Sequence, residues 1–147
     1  MKRGGLIILL IMLMWGCENT TFVSSVPYYP VRLELNILAE YPNFVAAGGI
    51  QVLEFTSPRY PTESLGYAGI MVYTAFDNRY HACDMCCPNC LKRSEPVHWD
   101  NGFYAHCPTC GEDYDISYGY GTPTKGIAKE QLRPYKTAYN NGKLSIY

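Results

Sequence analysis

Four cysteines in two matched pairs carry the chemistry of this sequence. Cys87-Pro88-Asn89-Cys90 and Cys107-Pro108-Thr109-Cys110-Gly111 form a C-x2-C-x16-C-x2-C pattern. Two cysteines three apart can turn both thiolates toward one point. Two such turns facing each other place four sulfurs in a tetrahedron around a metal. Proline stiffens each turn, and Gly111 relieves the exit of the second. Cys87, Cys90, Cys107 and Cys110 are therefore the candidate ligands. Two disulfides are the competing reading, which an oxidising compartment permits. A thioredoxin-like redox pair is a third, but no βαβ pattern surrounds either Cys-x-x-Cys.

Other side chains near the motif read as structural. Cys83 falls in an apolar strand, where a free cysteine acts as a small core residue. Cys86 adjoins the first pair, and Cys83-Asp84-Met85-Cys86 is itself a Cys-x-x-Cys, so Cys86 could supply an alternative ligand or a disulfide. Only the two Cys-Pro-x-Cys turns match each other, which ranks them first. His81, His98 and His106 read as ordinary strand residues, with His106 on the opposite strand face from Cys107. Glu112, Asp113 and Asp115 read as a solvated rim.

The elements that must hold these turns are short strands. Val31–Ile37 alternates apolar and polar residues, as a half-buried strand does. Ile50–Phe55, Ile70–Thr74 and Tyr80–Asp84 follow, the last leading into the first cysteine turn. Pro96–Trp99 and Phe103–His106 flank Asn101-Gly102, a hairpin signal, and lead into the second. Tyr114–Ile116 exits it. A Gly/Pro/Thr-rich loop spans Gly119–Gly126, and a last hairpin turns at Asn140-Asn141-Gly142. The weak helical candidates are Ile37–Tyr41 and Ile127–Arg133, the second stopped by Pro134. The expected fold is all-β: a small antiparallel sandwich or barrel with two cysteine-bearing hairpin loops, of zinc-ribbon or rubredoxin type, at one end.

The N-terminus reads as an export signal. Lys2 and Arg3 precede the apolar run Leu6–Met14, which is too short to span a bilayer comfortably. The run ends at Trp15-Gly16-Cys17. This resembles a bacterial lipoprotein signal, which is cut before a cysteine that then receives a diacylglycerol. Met14 and Trp15 depart from the commonest form of that motif. The expected organisation is a signal peptide over 1–16, a lipidated Cys17 with its tether over 17–29, and a metal-binding domain over 30–147. The expected location is the cell envelope, at the periplasmic or outer-membrane face, held to the membrane by the lipid.

Composition agrees with a small exported β-protein. The chain has 147 residues, 7 cysteines, 14 tyrosines and a formal net charge of −1. Six of the cysteines lie between positions 83 and 110, which marks a local site rather than a scattered disulfide framework. No basic run of five or more exists, so nucleic acid is not an expected partner.

From Pro30 to Tyr147 the order of motifs resembles the Rieske iron–sulfur family. Gly69-Ile70-Met71-Val72, Tyr80–Asp84 and Cys87-Pro88 are similar to the strands entering that family's first cluster loop. Cys107-Pro108-Thr109-Cys110-Gly111 with Tyr114-Asp115 is similar to its second loop and exit. Gly119–Gly126, Leu132-Arg133-Pro134-Tyr135 and Leu144-Ser145-Ile146 resemble its later loop and closing strands. The whole is similar to Rieske-like bacterial lipoproteins. The family ligates iron through C-x-H and C-x-x-H. Here Asn89 stands at the first histidine position and Cys110 at the second, with Cys90 one residue past Asn89. Four thiolates remain.

The resemblance implies a two-iron, two-sulfur (2Fe–2S) cluster and an electron-transfer role with a redox partner protein. All-thiolate clusters run at far lower potential than histidine-ligated ones. The spacing suits one ion, zinc or iron, held by the same four cysteines. The expectations are thus an iron–sulfur electron-transfer module or a structural zinc module. Leu91-Lys92-Arg93 and Ser117–Gly121 are candidate docking rims, and Tyr118 and Tyr120 are candidate contacts, with packing on their own sheet as the competing reading. No carboxylate pair, Ser/His/Asp set or phosphate loop argues for an enzyme.

Overall fold

The computed structural model describes residues 23–147; the apolar run and Cys17 lie outside the described residues. Among the described residues the regular structure is almost all short antiparallel strands, arranged in three four-stranded sheets. The first sheet orders β11 (Thr137–Asn140), β12 (Lys143–Ile146), β1 (Val31–Asn36) and β3 (Ser64–Leu65) side by side. The second orders β10 (Pro134–Tyr135), β5 (Tyr80–Asp84), β4 (Ile70–Thr74) and β2 (Val52–Phe55). The third orders β6 (His98–Trp99), β7 (Tyr104–His106), β8 (Asp113–Asp115) and β9 (Thr122–Pro123).

Alternation along β4 explains how the sheets stack. Side chains on a strand point to opposite faces in turn, and all five residues of β4 are buried. Ile70 and Val72, with Ala82 of β5, pack against Leu33 and Leu35 of β1 and Leu144 and Ile146 of β12. Met71 and Tyr73, with Cys83 of β5, pack the other way, against Ala105 and Tyr114 of the third sheet. The second sheet is therefore the middle layer between two cores. That is why Ile70-Met71-Val72-Tyr73 is apolar throughout, whereas β1 alternates.

Turn chemistry closes the hairpins where the sequence places it. Asn140 pairs with Lys143, leaving a two-residue loop of Asn141 (φ 47°) and Gly142 (φ 82°). Positive φ at both positions suits the twist of the flanking strands. Asn36 caps a single helical turn, α1 (Ile37–Glu40), by accepting the Ala39 N–H at 3.3 Å. The second helical candidate, 127–133, is irregular. The Leu132 N–H bonds to the Gly121 carbonyl at 3.0 Å, and Glu112 takes the Ile127 and Ala128 N–H groups. Tertiary partners thus replace the helical ladder.

The packed domain begins before residue 30. Val26 is buried against Ala68 and Cys86. The Ser25 hydroxyl donates to Glu130 at 2.6 Å, and Arg133 donates to the Val26 carbonyl at 2.8 Å. Among the described residues, no helix is long and apolar enough to cross a membrane.

Candidate metal centre

The two cysteine turns arise differently. The second is the loop of the β7–β8 hairpin, closed by Cys107 N–H to the Glu112 carbonyl at 2.9 Å. The first lies in the connection from β5 to β6, which belong to different sheets, rather than at the tip of a hairpin. Met85 is the hinge of that crossing: its N–H bonds to Gly69 at 3.0 Å, and its carbonyl takes the Val97 N–H at 2.8 Å. Crossing from the middle to the outer sheet carries Cys87 toward Cys107.

Within each turn the backbone folds alike. The Leu91 N–H donates to the Cys87 carbonyl, and the Gly111 N–H to the Cys107 carbonyl, both at 2.9 Å. Each turn ends on a left-handed residue, Leu91 at φ 54° and Gly111 at φ 76°. Glycine takes that conformation freely, whereas leucine is strained in it. The Thr109 hydroxyl bonds to the Glu95 carboxylate, tying the second turn to the segment that follows the first.

The four sulfurs meet. Cys87 and Cys110 Sγ lie 3.8 Å apart, as do Cys90 and Cys107 Sγ. All four lie within 4.8 Å of one another, a group that could hold a metal ion. A tetrahedron of sulfurs about 2.3 Å from a central zinc or iron has edges of about 3.8 Å. The donor set fits such an ion. Cys87 and Cys107 are buried and Cys90 and Cys110 half-exposed, so the centre sits on the core with one side toward solvent.

The surroundings bias the thiols unequally. Burial pushes Cys90 up, and the neighbouring thiols push it further. Burial also raises Cys107, outweighing the Cys110 and Thr109 N–H groups that favour its thiolate. Burial would raise Cys110 as well, but the Glu112 N–H and the other three thiols win and bring it down to about 7. Beneath the site, the Tyr114 hydroxyl lies 3.1 Å from Cys87 Sγ. Burial and the neighbouring sulfur hold that phenol well above its ordinary range, so it stays protonated and can donate to a thiolate.

Two buried carboxylates fix the turns from outside. Asp84 accepts the N–H groups of Tyr67 (2.7 Å), Ala68 (3.1 Å) and Cys86 (2.8 Å) and the Tyr135 hydroxyl (2.7 Å). Glu112 is fully buried, contrary to the solvated rim expected of it. It accepts five backbone N–H groups, from Asp113, Thr124, Lys125, Ile127 and Ala128, at 2.7–3.2 Å. Burial would raise its carboxyl, but these donors hold it below the usual carboxylate range. A side chain caged by N–H groups needs no water, which is how a charge is tolerated there. Asp113 and Asp115 are half-buried.

The remaining sequence candidates fall outside the cluster. Cys83 is a core residue of the middle sheet, and Cys86 packs against Val26 and Ala68. Each histidine faces a carboxylate: His81 with Asp77, His98 with Glu54 and His106 with Asp113. Leu91, Lys92 and Arg93 are exposed beside Cys90. Ser117–Gly121 lies against the β4–β5 turn, where Phe76 N–H bonds to Ser117 and the Tyr73 hydroxyl to Gly119. Tyr118 and Tyr120 are 62% and 66% exposed, so they do not bury on their own sheet. Sequence reasoning missed Tyr114, Asp84 and Glu112. Tyr114 pairs with Ala105, which shares a strand face with Cys107, and that register is set by the fold.

The fold and site together define an all-β antiparallel protein with a four-cysteine cluster that could bind a metal. No family model matches the sequence, and no curated protein matches it. Among solved structures, the chain is similar to one from the complex of reduced oxygenase and oxidized ferredoxin in carbazole 1,9a-dioxygenase. The identity is 11% and the TM-score 0.47, over 80% of this chain and 94% of that one.

Proposed function

We propose that this chain is a metal-binding β-module of the cell envelope whose Cys87, Cys90, Cys107 and Cys110 hold a single tetrahedral ion. The sulfur spacing carries this reading. All four sulfurs lie within 4.8 Å of one another, as a single ion with tetrahedral thiolate ligation requires. The Rieske-like order of motifs is then a kinship of scaffold, with a one-ion site where that family carries a two-iron cluster.

With zinc bound, the ion staples the crossing after β5 to the β7–β8 loop. The buried Cys87 and Cys107 make it part of the core formed by Met85, Val97, Tyr114 and Ile116. Small domains gain folding free energy directly from such a metal. A second reading, a one-electron carrier with one iron, is favoured by the half-exposed Cys90 and Cys110. Lys92 and Arg93 beside them would then meet an acidic redox partner. The lipid anchor on Cys17 and the envelope location rest on the sequence motif and belong to this proposal.

Metal content with a visible spectrum tests the reading. Full-length protein purified under reducing conditions should carry one ion per chain and no acid-labile sulfide. One zinc and no colour support the staple. One iron with thiolate-to-iron absorbance supports the carrier. Two irons with two sulfides overturn the single-ion centre. Labelling with a radioactive fatty acid, lost on Cys17→Ser, tests the anchor.

A further inference from the structure

We propose that the four-cysteine centre is also an oxidative modification site, at which a small-molecule disulfide expels the ion and leaves two cross-loop disulfides, Cys87–Cys110 and Cys90–Cys107. The proposal rests on the single-ion reading above.

The pairing follows from contact. Cys87 with Cys110 and Cys90 with Cys107 meet at 3.8 Å, each pair reaching from one turn to the other. A disulfide holds its sulfurs at about 2.05 Å, so each pair must close by under ~2 Å. Both pairs join one turn to the other. Their partners are 23 and 17 residues apart and nest one inside the other. Longer loops constrain the unfolded chain more, so these links stabilise more than a bridge across one Cys-x-x-Cys. The oxidised protein therefore keeps the connection that the ion made.

Exposure supplies the route. In each pair one sulfur is half-exposed, Cys110 or Cys90, and its partner, Cys87 or Cys107, is buried. The exposed thiolate attacks the incoming disulfide, forming a mixed disulfide and releasing one small thiol. The buried partner then attacks the bound cysteine sulfur and releases the second small thiol. Over the whole site, four thiolates give up four electrons. Two small disulfides accept them with four protons and leave as four thiols, and the divalent ion departs. Cys83 and Cys86 are buried and lie outside the four-sulfur group, so they stay reduced.

Trypsin separates the outcomes, because it cuts after Arg79, Lys92, Arg93 and Lys125, placing the two turns on different fragments. Zinc-loaded full-length protein is treated with oxidised glutathione while released zinc is read with a chromogenic chelator. The expected result is release of one zinc, with fragments 80–92 and 94–125 linked until reduced. In Cys90→Ser the Cys87–Cys110 link should persist, and its melting transition confirms that the variant is folded. Zinc release with the two fragments running apart would mean bridges within each turn and would overturn the proposal, as would zinc retained over free thiols. A chain that loads no ion at all overturns the single-ion reading and this proposal together. A loaded chain whose fragments run apart overturns this proposal alone.

Discussion

The Tyr114 hydroxyl reaches Cys87 Sγ at 3.1 Å from beneath the metal centre, and among the described residues it is the one phenol hydrogen-bonded to a ligand sulfur. Tyr114 is fully buried on β8, with its ring in the same core as Met85 and Val97. Its role is to place a donor on a thiolate that faces away from water. Tyr114→Phe keeps the ring and removes the donor. Groups that bond to metal ligands typically matter 10–100-fold for affinity, so zinc affinity should fall about tenfold. Competition with a chelator of known affinity measures this, and an unchanged constant would show that the contact is packing alone.

Leu91 and Gly111 occupy the same place in the two turns, yet only one has the residue the place favours. Leucine at φ 54° carries left-handed strain of about 1–2 kcal/mol. Its side chain is 41% exposed, so truncation forfeits little packing. Leu91→Gly should raise the stability of the loaded protein by about 1 kcal/mol, after the extra chain entropy that glycine brings. Gly111→Ala should lower it by a similar amount. No atom lies within 4 Å of the added Cβ, so the cost is backbone strain alone. Urea melts of both variants decide the matter, and equal effects of the same sign would refute the equivalence of the two turns.

Arg59 gathers chain segments distant in sequence. It donates to Glu63 at 2.7 Å, to Glu40 at 2.8 Å, to the Tyr41 hydroxyl at 3.2 Å and to the Glu34 carbonyl at 2.9 Å. Burial would raise the Glu63 carboxyl, but hydrogen bonds from the Arg59 side chain and N–H prevail and hold it below its ordinary value of 4.5. A carboxyl depressed in the folded state stabilises the fold fully above its unfolded value. That contribution is lost as pH falls through the folded value. Stability should therefore decline on acidification below about 4.5, and Glu63→Gln should be less stable at neutral pH with a flatter acid limb. Denaturant melts from pH 7 to pH 3 would show this, and parallel curves for both proteins would exclude Glu63 as a source of the acid sensitivity.

What the sequence made legible follows from range of interaction. Strands such as β1 and β4 were readable because alternation or an apolar run extends through them, whereas β11 was legible only from the turn beside it. That Asn141-Gly142 turn was readable because its chemistry is local. The four ligands were readable because C-x2-C spacing is itself a geometric statement. The strands β3, β9 and β10 have two residues each, too few for any period to appear. The crossing of Met85 between sheets was hidden, because a strand followed by a turn and another strand looks like a hairpin from inside the chain. Glu112 was hidden more deeply. Its neighbours Asp113 and Asp115 do reach toward solvent, and four of its five N–H donors come from residues 12 to 16 positions away.

That long-range cage makes Glu112 the sharpest test of how the second turn is held. The carboxylate joins the exit of the Cys107–Cys110 turn to the segment 124–128 through N–H donors alone. Glu112→Gln keeps the shape but replaces one acceptor oxygen with an NH2 group that must face other N–H donors. Donors to a charged acceptor contribute about 1.5–3 kcal/mol each, and a buried donor left unpaired costs a similar amount. Partial rearrangement will recover some of this, so a net loss of about 2–4 kcal/mol is expected. Hydrogen exchange locates the effect: the Ile127 and Ala128 amides should lose protection first, while Val72 and Tyr73 in the middle sheet keep theirs. Zinc affinity should fall as well, because Cys110 and Gly111 lead directly into the anchored residue. A variant with full zinc affinity and protected amides at 127 and 128 would show that the turn holds itself and that the buried charge serves only the loop beyond it.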